Sequence, residues 1–107
     1  MIYEVLLTDA AKADLNDIYQ YIKSNDSIES ADYVLDNIEA LFDSLSEQPQ
    51  RGSFPRELSE LGIKEFRQVL FKPYRLIYST TDKQVFIYCI LDGRRDIRSV
   101  LERRLLS

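Results

Sequence analysis

The sequence predicts an α+β fold in the order β-α-α-β-β-β, followed by a short C-terminal helix or tail. Three observations predict it: two adjacent segments with apolar residues at helical spacing, three strand-like runs joined by short connections, and a short apolar run before them all. Short connections between the three late runs imply antiparallel neighbours, so the sheet should be mainly antiparallel with a helix hairpin packed on one face. The position of the first strand in the sheet stays open. At 107 residues the chain has the length of one compact domain, residues 1–107.

Residues Ile2 to Leu7 form the first apolar run, ended by Thr8-Asp9, a pair able to accept hydrogen bonds from the first amides of a helix. From Ala10 onward Leu15, Ile18, Tyr19 and Ile22 recur at helical spacing, and this helix should stop near Ser24-Asn25. The next begins at Asp26 or Ser27 and places Ala31, Val34, Leu35, Ile38, Leu41, Phe42 and Leu45 on one stripe. The helix acids Asp14, Asp17, Asp36, Glu39 and Asp43 are expected on solvated faces. Two prolines and a glycine make Gln48 to Pro55 a loop.

The late strand runs are Glu65 to Phe71, Tyr74 to Thr80 and Val85 to Asp92. In the last, Val85, Ile87, Cys89 and Leu91 should point one way and Phe86, Tyr88 and Ile90 the other, so both faces are apolar and the strand is central. The helix hairpin can cover only one face. The other needs the C-terminal segment, a partner, or both. After Gly93, residues Ile97, Val100, Leu101 and Leu105 return to helical spacing among five arginines.

Composition narrows the chemistry. With 45% apolar residues, seven Tyr and five Phe, the chain can build a core without staples. The lone Cys89 has no second cysteine to pair with, and its apolar surroundings predict a buried, inert thiol. No histidine occurs, which removes the commonest general acid–base and the commonest metal ligand. No carboxylate pair suggests a metal or glycosidase site. The N-terminus lacks a basic segment and a long apolar run, so a cytoplasmic protein without membrane contact is expected.

Charge is unevenly distributed. Residues 1–47 hold eleven acids against Lys12 and Lys23, whereas residues 48–107 hold twelve bases against seven acids. A basic face meeting an acidic partner fits this division better than unselective nucleic-acid binding, because the acidic half repels phosphate.

The stretch Arg67-Gln68-Val69-Leu70-Phe71-Lys72-Pro73-Tyr74-Arg75-Leu76-Ile77-Tyr78, with Ile90-Leu91-Asp92-Gly93-Arg94-Arg95-Asp96-Ile97 after it, resembles the signature of ParE-type toxins of the ParE/RelE superfamily. Pro49-Gln50-Arg51-Gly52, Glu57-Leu58 and Gly62-Ile63 resemble the loop of the same family, whose order of elements is the one read above. The resemblance covers nearly the whole chain and implies a RelE/ParE-like fold. It also implies a type II toxin that inhibits DNA gyrase by contact, without cofactor or catalysis of its own. A ParD-like antitoxin would neutralise it and carry the complex to operator DNA.

Relatives resembling RelE share the fold but cut mRNA in the ribosome with a basic cluster and a tyrosine. On this chain Arg75 and Arg95 match two of those arginine positions, and Arg67 falls where one strand lysine would be. Val69 occupies the other lysine position, and no tyrosine follows Tyr88. Arginine stabilises charge well but is a poor acid or base at neutral pH, so contact is favoured over catalysis. The residues expected to touch target or antitoxin are Arg67, Arg75, Arg94, Arg95 and Arg98, with no catalytic or metal-binding residue. Each also has a structural reading: Arg75 solvated on a strand or paired with an acid, and Arg94 and Arg95 matched to Asp92 and Asp96 at a turn. Tyr74 and Tyr78 share a strand face that is read as core.

Overall fold

The computed structural model describes residues 2–105. Strand β1 (Glu4–Leu7) leads through Thr8 into helix α1 (Asp9–Asn25), and Ser27 opens helix α2 (Ile28–Glu47). Of the candidate caps, Thr8 Oγ1 accepts from the Ala11 amide at 3.2 Å and Ser27 Oγ from the Ser30 amide at 3.0 Å. Each satisfies one of the amides that a helix start leaves without a partner.

A four-residue helix α3 (Arg56–Ser59) stands in the connection between α2 and the late strands, where the sequence offered no helical signal. One turn is too short for periodicity to register. It buries Leu58, and the chain leaves it through Gly62, whose φ of +76° falls in the left-handed region that favours glycine. Strands β2 (Arg67–Phe71), β3 (Tyr74–Thr80) and β4 (Gln84–Asp92) follow as an antiparallel meander, and helix α4 (Ile97–Leu105) ends the described chain.

The sheet order is β1-β4-β3-β2, with β1 at the edge and parallel to β4, which settles the question the sequence left open. β4 is central, as its two apolar faces predict, but its alternation is broken. Register with β3 shifts so that Ile77 faces Cys89 while Tyr78 faces Ile87, leaving Tyr88 as an extra residue. This bulge turns the strand over midway. Val85, Ile87 and Ile90 therefore face the α1–α2 hairpin together with Leu76 and Tyr78, whereas Cys89 and Leu91 face the opposite side with Ile77. The expected grouping of Cys89 and Leu91 with Val85 is corrected accordingly.

The second face is covered in cis. Ile97, Val100 and Leu101 of α4 lie on Ile77, Cys89 and Leu91, with Leu58 of α3 beside them. Burying three aliphatic side chains contributes roughly 1.5–3 kcal/mol each to holding α4 down.

One carboxylate ties the two layers together. Asp14 is buried on the core side of α1 rather than on the solvated face expected of it. Its Oδ2 accepts from the Ile90 amide at 3.0 Å, and the Arg104 guanidinium of α4 grips both oxygens, with Nη2 to Oδ1 at 2.8 Å. β1 pairs with β4 only as far as Ile87, so the carboxylate satisfies an amide beyond the end of that pairing. Tyr78 acts similarly below the loop: its hydroxyl donates to the Pro49 carbonyl at 2.8 Å and accepts from the Gly52 amide at 3.0 Å.

Two substitutions test these ties. Asp14→Ala removes the carboxylate partner of a cation and of a buried amide, and urea denaturation should show a loss of about 3 kcal/mol. Arg104 is 28% exposed, which keeps the effect at the low end of that range. Tyr78→Phe strands two buried backbone groups and should cost about 1–3 kcal/mol. An unchanged midpoint for either variant contradicts the role given to that side chain.

Candidate functional site

The five arginines singled out from sequence fall into three places. Arg67, at the start of β2, donates through Nη1 to the Gly52 carbonyl at 2.8 Å and lies over the Phe54 ring, 4.6 Å from its centroid. It pins the loop before α3 to the sheet. Arg75 and Arg98 are both held by acids of the α3 segment. Arg75 makes a forked pair with Glu57 at 2.7 and 2.8 Å and also donates to Gln68 Oε1, while Arg98 pairs with Glu60 at 2.8 Å.

Arg94 and Arg95 belong to the turn after β4. Arg94 folds back on Asp92, with Nη2 to Oδ2 at 2.6 Å, but is 79% exposed. Arg95 holds the turn only through its backbone amide, 3.1 Å from the Asp92 carbonyl, and its side chain makes no ion pair among the described residues. The structure thus ties Arg75 and Arg98 to the α3 segment and leaves Arg94 and Arg95 in one turn. Arg67 stands apart from both pairs.

Electrostatics separates them further. The Arg75 hydrogen bonds, helped by a backbone hydrogen bond and by the charges of Arg75 and Arg98, hold the Glu57 carboxyl at about 2 against partial desolvation. Hydrogen bonding from Arg94 lowers Asp92, an exposed pair screened by water. Burial pushes the Cys89 thiol up, in keeping with an inert thiol. Among the described residues no group of three His, Cys, Asp or Glu side chains is placed to hold a metal ion. No helix among them is long and apolar enough to cross a membrane.

A family model described as the ParE toxin of the type II toxin–antitoxin system, parDE, matches residues 5–97. The chain belongs to the ParE toxin family. Toxin ParE3 of Caulobacter vibrioides is 29% identical over 102 residues, which span 94% of this chain and 96% of that protein. Among solved structures, a chain of the chromosomal ParDE toxin–antitoxin system from P. aeruginosa superposes with a TM-score of 0.68 at 21% identity, covering 83% of this chain and 94% of its own. A chain of the RelBE2 toxin–antitoxin complex from Mycobacterium tuberculosis gives 0.58 at 27% identity, covering 84% and 96%. In this ParE-family chain the matched residues end at 97, so nearly all of α4 lies beyond them.

Sequence reading passed over Asp14, Arg104 and the α3 acids. A signal for Asp14 was present: it lies three residues after Ala11 and four before Ile18, on the apolar stripe of its own helix. Nothing comparable marks Glu57, whose role depends on a long-range meeting with Arg75.

Glu57 makes the acid limb of stability predictable. Its carboxyl is lower in the folded chain, so the stabilisation is present above the ordinary value of 4.5 and is lost as pH falls toward about 2. Glu57→Gln should flatten the fall in unfolding free energy between those limits by about 2 kcal/mol. An acid limb identical to that of the parent chain contradicts the Arg75–Glu57 pair.

Proposed function

We propose that this ParE-family toxin acts by protein–protein contact on DNA gyrase and is neutralised by a ParD-like antitoxin. The observation that carries the contact reading is the state of the arginines. Arg75 and Arg94 are forked onto carboxylates, Arg98 pairs with Glu60 and Arg67 donates to a carbonyl, and among the described residues none of these bonds is to a group that exchanges a proton at neutral pH. The chain has no histidine and no tyrosine after Tyr88. Both structural neighbours named above are chains of toxin–antitoxin assemblies, which supports an antitoxin as partner. In this reading the protein works in the cytoplasm, and the complex reaches operator DNA through the antitoxin.

Of the candidate contacts, Arg94 and Arg95 are the best suited to a partner. Arg75 is 15% exposed and committed to Glu57. Arg98 and Arg67 remain candidates at the edges of their own clusters. An antitoxin helix on the second face of β4 would have to lie over α4 or replace it.

Expression without antitoxin should stop growth with filamentation and a DNA-damage response while protein synthesis continues at first. Prompt cleavage of mRNA in ribosomes would instead establish the RelE-like alternative, and harmless accumulation would remove toxicity altogether. Replacing Arg94 and Arg95 together by Ala should change unfolding free energy by no more than about 0.5 kcal/mol, because both are exposed. The same variant should relieve growth arrest and gyrase inhibition. A folded, fully toxic double variant would take both residues out of the target contact.

A further inference from the structure

The two apolar clusters of this protein are built independently. The one between sheet and hairpin draws on every strand and on α1 and α2, and contains no residue of α4. The other is closed by Ile97, Val100 and Leu101 of α4, which lie over Leu58, Ile77, Cys89 and Leu91. No backbone hydrogen bond among the described residues joins α4 to a strand or to another helix. A nine-residue helix is marginal by itself, so α4 depends on those three side chains and on its ion pairs.

The ion pairs differ in kind. Arg98 and Glu60 are half-exposed, and water screens them. Arg104 instead crosses to the other layer. β1 pairs with β4 only as far as Ile87, and beyond that point the guanidinium reaches Asp14, which also holds the Ile90 amide. Both partners border open space: Arg104 lines a cleft of about 310 Å³ with Thr8, Ala10 and Tyr88, and Asp14 lines one of about 330 Å³ on the hairpin side with Asp17 and Tyr74. If Arg104 leaves, water can reach the carboxylate from the hairpin side while the Ile90 bond stays. The penalty of a charge left dry, which ordinarily fixes a buried ion pair, is reduced by that access.

We propose that α4 is a strap that opens and closes over the second face of the sheet while the rest of the domain stays folded. The exposed turn Gly93–Asp96 is its hinge, and the Arg104–Asp14 fork is its latch. The closed form presents a helix bearing arginines; the open form presents the apolar Ile77–Cys89–Leu91 surface. One chain thus owns two alternative surfaces on that side, whatever its target.

Cys89 is the sole cysteine and is fully buried under α4, so its thiol reports the opening. In the full chain, dithionitrobenzoate should label it at a rate nearly independent of urea at low urea, and about tenfold or more above what the extrapolated unfolding constant allows. Arg104→Ala should speed that labelling by about tenfold, and Arg104→Lys, which keeps the charge without the fork, by less. Val100→Ala should also speed it, because the variant loses burial only in the closed form. Ile38→Val lies in the hairpin cluster and weakens closed and open forms alike, so it should lower the urea midpoint and leave labelling at low urea unchanged. Labelling that follows the unfolding constant with its full urea slope overturns the strap. So does an Arg104→Ala variant labelled no faster than the parent, or an Ile38→Val variant whose labelling rises in step with its lost stability.

Discussion

The Asp14 carboxylate is the contact on which the two layers of this protein depend. It lies on the core side of α1, satisfies the Ile90 amide, and accepts a fork from Arg104. A buried carboxylate is tolerated only where hydrogen bonds and a counter-charge replace water, and here β4 and α4 supply them. The bulge at Tyr88 belongs to the same arrangement. By turning β4 over, it directs Ile90 toward the hairpin and gives Cys89 and Leu91 to the side that α4 covers.

Much of this architecture was legible before any coordinates. Thr8 and Ser27 announced helix starts, the α2 stripe from Ala31 to Leu45 could hardly be anything else, and the two apolar faces of β4 required a central strand. What was hidden has a common cause. A bulge does not show in a run where every residue is apolar, because either register buries a hydrophobic side chain. One turn of helix leaves no period to detect, so α3 passed for loop. Asp14 was read as a surface acid because charge usually signals water, although its position on the stripe argued otherwise.

The candidate site was legible in position and not in partnership. Sequence located the arginines and the imbalance between acidic and basic halves. It could not show that Arg75 is held by Glu57, that Arg98 is held by Glu60, or that Arg95 makes no ion pair among the described residues. Those outcomes depend on which acids the fold carries to each strand end.

Arg104 and Asp14 are separated by 90 residues. A ribosome adding about 5–20 residues per second makes the carboxylate roughly 5–20 s before its guanidinium exists. β4 is complete only at Asp92, so in the last part of that interval the strands can pair while the Ile77–Cys89–Leu91 surface stays wet and Asp14 lacks its counter-ion. A chain in which α4 is not yet made would expose a surface that the finished protein conceals.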